Sequence, residues 1–419
     1  MRGPTKPVPG ENARPRNRAA VLKFALESPG IDRTRLAELT GLTNPAVTRI
    51  AQELILAGVL SETGLLDGKG RGRKRMGLQI EASGGYVLGL SVLAFNTGVA
   101  LSDLSGRVIA QEDVSLSDLS KPSSTLDEIA AAAHRLIDEH VDHKQRVLGL
   151  GAAIAGYFDE SGEILAHSPY LGWPRFNVKQ SLQQRFDMPV AIDNVNRTIA
   201  VAEARIGCCK GIRDLILIRA AIGLGGAVIG GGELLLGDRN QAGQIGHIPA
   251  KLDGKTCVCG KRGCLTTVAS GQAVLESLGL NSGSGGKLAQ AVNDGEHLRR
   301  VLQSTKAVAK DALYEAGTAL GFHSAGAILL NDPKVVVLTG PLGRNADYSK
   351  AFTEQLREAG VTAEIFTAHS HDILQPATAA AGLALSSHFY SPSLNLWPLI
   401  ESSPTSVASD PTATQALVL

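Results

Sequence analysis

Between Asn17 and about Ser28 the apolar residues Ala20, Val21, Phe24 and Ala25 recur on one helical face, and Pro29-Gly30 stops the run. Asp32 is placed to cap a second, short helix carrying Leu36, Ala37 and Leu39, which ends at Gly41. Thr43 caps a third, with Pro45 in its first turn and Val47, Ile50, Leu54 and Ile55 running inward toward Gly58. Two short helices joined by a glycine turn let one brace a DNA backbone while the next enters the major groove. From Gly58 the pattern switches to a strand at Val59-Leu60, a glycine turn, a basic run from Lys69 to Arg75 and a second strand at Leu78 to Ile80. This reads as a wing.

After Gly84-Gly85 strands alternate with glycine turns, as in YVLGLSVLAFNTGVALSDLSGRVI, and a helical stretch follows from Leu126 to about His140. The segment LILIRAAIGLGGAVIGGGELLLG, residues 215 to 237, repeats the logic of strand, glycine turn and strand, which hints at a duplicated α/β architecture. Residues 1–16, rich in Pro, Arg and Gly, and 386–419, rich in Ser, Pro and Thr, read as flexible tails. The expected organisation is therefore a tail, a winged helix-turn-helix over 17–80, a larger α/β unit over 84–385 and a second tail.

Charge strengthens the first part of that picture. The chain of 419 residues carries a net charge of only +1, but residues 1–80 hold fourteen Lys and Arg against seven Asp and Glu, leaving twenty-seven against thirty-three beyond them. A basic front suits double-stranded DNA as partner. Thr43, Asn44, Thr48 and Arg49 offer hydroxyl, amide and guanidinium groups to base edges or phosphates. In the wing, Arg71 and Arg73 alternate with glycine and Lys74 follows directly, a basic run that fits a narrow minor groove. No stretch of about twenty apolar residues occurs and the first residues lack the apolar centre of a signal peptide, so membrane insertion is not expected and the cytoplasm is. Three of the five cysteines crowd together as Cys257, Cys259 and Cys264, which favours a metal site over a disulfide scaffold.

Two stretches carry a family likeness. GLTNPAVTRIAQELILAGVL resembles the recognition helix and wing of the ROK proteins (repressors, open reading frames and kinases), and NQAGQIGH with CVCGKRGCL resembles their metal and sugar segment. The resemblance spans about residues 17–385. It implies an N-terminal winged helix-turn-helix followed by a two-lobed actin-like and hexokinase-like (ribonuclease H-like) α/β domain, a sugar or sugar derivative in the cleft, and homodimers or homotetramers. The metal segment agrees on its own terms: His247 with Cys257, Cys259 and Cys264 gives one imidazole and three thiolates, a set suited to tetrahedral, structural zinc with no position left for water. Cys208 and Cys209 have no such spacing and read as passive.

Against the kinases of that family, the expected chemistry is missing. Phosphoryl transfer needs a glycine turn for phosphates, an acid for the metal and a carboxylate base. Where the kinases have an Asp and a Gly-Gly-Thr turn this chain has Gly89 to Phe95, GLSVLAF, and Ala221-Ile222-Gly223 stands for their Gly-Thr-Gly. The catalytic Asp aligns with Val195 or, one residue over, with Asn194; neither accepts a proton at neutral pH. The resemblance assigns sugar contacts to Asn194, Gln244, His247 and Thr266, with Gln244 and Thr266 replacing acids. Trp173 would stack on the sugar or plug the cleft edge. The expectation is thus a transcriptional regulator, a repressor of carbohydrate metabolism and not an enzyme. The alternatives are a sugar kinase with a DNA-binding appendage or a protein-interaction module.

Overall fold

The structure, a computed structural model, describes residues 13–66, 75–94, 97–281 and 287–402. Helix α1 (Ala13–Glu27) starts four residues earlier than the apolar pattern indicated. Arg14 lies inside it and pairs with the buried carboxylate of Glu53, giving the first turn a partner that periodicity cannot reveal. After β1 (Ile31–Asp32), the Asp32 side chain accepts the Arg35 N–H at 2.8 Å and caps α2 (Arg33–Thr40). Gly41 ends that helix with φ at +69°, a left-handed value that favours glycine. Thr43 caps α3 (Asn44–Leu56), with Pro45 in the first turn. Strands β2 (Leu60–Leu66) and β3 (Arg75–Ile80) pair antiparallel and β1 adds to β3, making a winged helix-turn-helix. The expected wing-tip contacts Arg71, Arg73 and Lys74 lie outside the described residues.

Next comes a five-stranded sheet. Strands β4 (Tyr86–Val92), β5 (Gly98–Asp103) and β6 (Val108–Asp113) form an antiparallel meander. Helix α4 (Pro122–His140) crosses back to β7 (Val147–Ile154), which runs parallel to β4. A small sheet of β8 (Tyr157–Phe158), β9 (Ile164–His167) and β10 (Phe176–Asn177) then leads through α5 (Val178–Gln183) to β11 (Val190–Asn194), parallel to β7. Helix α6 (Val195–Arg205) departs from the end of β11.

The second lobe repeats this plan. Strands β12 (Leu215–Ala220), β13 (Leu224–Gly230) and β14 (Glu233–Leu234) form the meander. After α7 (Thr266–Ala269), α8 (Gly271–Ser277), α9 (Lys287–Leu302) and α10 (Ala307–Asn331), β15 (Val335–Thr339) lies parallel to β12. Helices α11 (Gly340–Gly343) and α12 (Ala346–Glu358) precede β16 (Glu364–Thr367), parallel to β15. Both sheets therefore share one strand order, and the duplication hinted at by the glycine-turn pattern is a topological fact.

Helix α13 (Pro376–Ala384) lies against both lobes: Ala379 and Ala380 share a core with Ala153 of the first sheet and with Leu217 and Val337 of the second. Its approach to the first sheet explains two glycines. A Cβ on Gly89 would stand 2.1 Å from the Ala377 carbonyl oxygen, and one on Gly151 only 1.9 Å from that of Ala380.

One expected boundary is wrong. The composition of residues 386–419 points to a flexible tail, yet α13 passes into a π-helical turn at Leu385–Phe389, and α14 (Trp397–Glu401) follows. Phe389, Tyr390, Leu394, Leu396, Leu399 and Ile400 are buried in one core with Val21 and Leu22 of α1 and Leu54 of α3. Arg18 donates to the Leu394 carbonyl, and the Tyr390 hydroxyl donates to the Leu104 carbonyl at 2.6 Å. Serines and prolines between these apolar residues break every regular period, so composition hides the segment's packing.

Candidate functional site

A cavity opens between the lobes at the carboxyl ends of the parallel strands, where open α/β sheets place ligands. Leu93 and Ala94 beyond β4, Asn194 and Val195 at the β11–α6 junction, and Gly223 to Gly226 of the second lobe are on its wall. Gln244 and His247 approach from the segment after β14. Asn194 is held rigidly, since its amide donates to the Gly156 carbonyl at 2.6 Å while its oxygen accepts the Asn196 N–H at 2.9 Å and caps α6.

The wall contains no aspartate or glutamate among the described residues. Asp193, next to Asn194, is not on it; its carboxylate faces Arg197 at 3.4 Å, and burial outweighs that attraction, holding its pKa above the usual carboxylate value. The turn Ala221-Ile222-Gly223 is partly committed within the protein. Its Ala221 N–H is spent on the Gly223 carbonyl at 2.9 Å, and the Tyr170 hydroxyl presses on Gly223, where a Cβ would come within 2.1 Å of it.

Two expected contacts are not brought to the cavity. Thr266 is buried, donates its hydroxyl proton to the Gly246 carbonyl at 2.8 Å and is absent from the wall. Trp173 is only 3% exposed, donates to the Leu119 carbonyl at 2.7 Å and packs edge-on against Phe176 within the first lobe's core. Residues that the linear reading missed take their place, namely Tyr157, Tyr170, Asn196, Arg197, Arg219 and Gln241. They come from five separate segments, and no spacing in the chain marks them as neighbours.

Beside the cavity, His247, Cys257, Cys259 and Cys264 converge, with all four ligand atoms within 4.8 Å of one another. Cys257 Sγ lies 3.6 Å from His247 Nδ1 and Cys259 Sγ lies 3.7 Å from Cys264 Sγ. Tetrahedral metal–sulfur bonds of about 2.3 Å set sulfurs about 3.8 Å apart, so this donor set can hold a metal ion. Burial and the Lys261 charge lower the His247 pKa, favouring the neutral imidazole that a metal requires. The other ring nitrogen, Nε2, lies 2.9 Å from the Tyr157 hydroxyl on the cavity wall, so His247 touches both sites. A second cluster, Glu203 with Cys208 and Cys209, is differently committed: the Glu203 carboxylate already accepts the Cys208 and Leu374 backbone N–H groups.

On α3 the expected base-reading residues share the outer side: Thr43, Asn44 and Arg49 are exposed and Thr48 half-buried, with Val47 and Ile50 inward. Gln52, one turn beyond Thr48, extends this face and was overlooked. Arg49 has no ion-pair or hydrogen-bond partner among the described residues, and so is available to a phosphate or base.

A family model described as the ROK family matches residues 88–386. The chain is 28% identical over 354 residues to the xylose repressor of Caldicellulosiruptor bescii, covering 82% of this chain and 86% of that one. It is 26% identical over 333 residues to the DNA-binding transcriptional dual regulator NagC of Escherichia coli K12, covering 78% and 80%. Among solved structures, a ROK family transcriptional regulator described as a homologue of the E. coli Mlc protein superimposes with a TM-score of 0.75 at 22% identity, over 94% of this chain and all of that one.

Proposed function

Because the chain belongs to the ROK family, we propose that it is a cytoplasmic DNA-binding regulator, a repressor of carbohydrate genes, whose two-lobed domain senses a small molecule and performs no phosphoryl transfer. The observation that carries this reading is the cleft wall itself. A kinase of this architecture needs a carboxylate to take the hydroxyl proton and a turn free to hold phosphate; here the wall has no acid among the described residues and Tyr170 stands close against Gly223 of the turn. What remains suits binding of a hydroxyl-rich ligand, with Asn194, Gln244 and His247 as contacts.

The route to DNA is α13. A ligand that shifts the lobes shifts this helix, which packs on both, and its continuation carries Phe389 and Tyr390 into the core beneath α1 and α3. Two copies of the chain would then present paired recognition helices to half-sites about one helical turn, roughly 34 Å, apart. His247, Cys257, Cys259 and Cys264 hold a structural zinc ion in this reading, tying the segment that carries Gln244 to the cleft. The ion supplies a cross-link and leaves no coordination position for substrate.

Electrophoretic shift against the DNA upstream of the chain's own gene tests the regulator directly. Binding should weaken as salt rises. Arg49→Ala and Asn44→Ala should each lose about 1–3 kcal/mol, roughly 5- to 150-fold, without changing the melting temperature. Unaltered affinity in both variants would refute α3 as the reading element. In an ATP-coupled assay across hexoses, pentoses and acetylated amino sugars, no magnesium-dependent turnover is expected; turnover above background would restore the kinase reading.

A further inference from the structure

Arg219 is the last but one residue of β12, on the face of the second sheet that looks toward the first lobe, and it lies on the wall of two cavities at once. One is the cleft cavity described above; the other lies behind it, bounded by Arg299, Arg344 and Glu296 among others. Strand pairing sets Gly225 on one side of Arg219 and Thr339 on the other, neither with a charge. Among the described residues its guanidinium has no ion pair and no hydrogen bond. Glu296, the one acid on either wall among the described residues, is spent on Arg299 at 3.0 Å and on Arg300 at 3.9 Å. Arg197, the other cation of the cleft cavity, is by contrast held by the Asn240 side chain and backbone and by Asp193. Arg219 is half-buried, and the partial loss of water without a counter-charge pulls its guanidinium pKa down to about 10. An uncompensated cation in such a place costs stability, so the fold does not explain it.

We propose that Arg219 is the anchor for the negatively charged group of the effector, and that the cleft takes a hydroxylated small molecule bearing a phosphate or a carboxylate rather than a neutral sugar. The proposal rests on the ligand-sensing reading above. Asn194, Asn196, Gln241 and Gln244 supply neutral hydrogen-bonding groups to hydroxyls around the same cavity, and among the described residues no acid lies on its wall. Guanidinium presents a planar fork that meets phosphate or carboxylate through two parallel bonds, which a lysine cannot reproduce.

The test is calorimetric titration and melting of the full chain, without DNA, against a neutral hexose, its 6-phosphate, the corresponding hexuronate and inorganic phosphate. One of the two charged sugars is expected to bind at least tenfold more tightly than the neutral one, and which of them does so identifies the anion. Arg219→Met should abolish that preference, and Arg219→Lys should retain only part of it. Inorganic phosphate should raise the melting temperature of the natural chain but not of Arg219→Met. Without ligand, Arg219→Met should melt at or above the natural chain, since it removes a charge with no partner. Equal affinity for neutral and charged sugars, a flat response to all four probes, or a Met variant that melts lower would overturn the assignment. Because these titrations contain no DNA, their failure is distinct from a failed shift assay, which bears only on the regulator reading.

Discussion

Replacing Phe389 with alanine is expected to cost about 3–5 kcal/mol and to abolish DNA binding while leaving the cleft able to bind its ligand. Phe389 is fully buried and packs edge-on against Tyr390, its ring centroid 4.6 Å away, in the core shared with α1 and α3. The cavity it leaves lies at the joint between α13 and the winged unit, away from the residues that line the cleft. Urea unfolding followed by two probes, one in each unit, together with the shift assay, checks this. The expected result is an earlier transition for the N-terminal unit and a lost shift. If DNA affinity and both transitions match the natural chain, the C-terminal segment does not support the recognition helix and the proposed route through α13 fails.

The second large effect concerns the metal. Treatment with a strong chelator, or Cys257→Ser, is expected to take the zinc content from one ion per chain to none and to lower the melting temperature by several degrees. Structural zinc contributes about 10–16 kcal/mol of apparent binding free energy in small peptides that fold around it. In a chain with two further cores only part of that should appear in global melting, and the rest as local opening of residues 247–264. Limited proteolysis should therefore cut within this segment first. Ligand affinity should fall too, because Gln244 and His247 stand on the same stretch and Tyr157 is hydrogen-bonded to His247 Nε2. Were Nδ1 to hold the metal, Nε2 would carry the proton and donate it to the Tyr157 oxygen, and losing the ion would also free the ring to change tautomer. A Cys257→Ser protein that keeps one zinc and melts normally would sink the assignment.

Much of this molecule was legible in the linear chain, and the legible parts share a property. Asp32 and Gly41 around α2, and Thr43 with Pro45 at the start of α3, mark helix ends by interactions within four residues, so their meaning does not depend on the rest of the fold. The four residues that could hold a metal are read the same way, three of them lying within eight residues. Loss of acids is equally local, since Asn194-Val195 and Ala221-Ile222 state which side chains are present wherever they end up.

Geometry made by distant segments was not legible. Thr266 was expected at the ligand, but its place beside Gly246 gives its hydroxyl a nearer acceptor. Trp173 was expected at the cleft, but its indole N–H finds the Leu119 carbonyl in the first lobe. The apparent tail became a structural joint because six apolar residues, unperiodic among themselves, meet a surface supplied by helices more than three hundred residues earlier. Arg219 shows the limit most clearly. In the chain it is one charge in the apolar run LILIRAAIG, and only the meeting of two lobes leaves it without a counter-charge at the junction of two cavities. By itself, then, the sequence determined the helix caps and the clustering of one imidazole and three thiols that could hold a metal, because those depend on residue identity and short-range bonding. Tertiary structure alone decided which side chains share the cleft, which charge goes unanswered there and how the cleft is joined to the DNA-facing helix, because burial and pairing arise only when distant surfaces close.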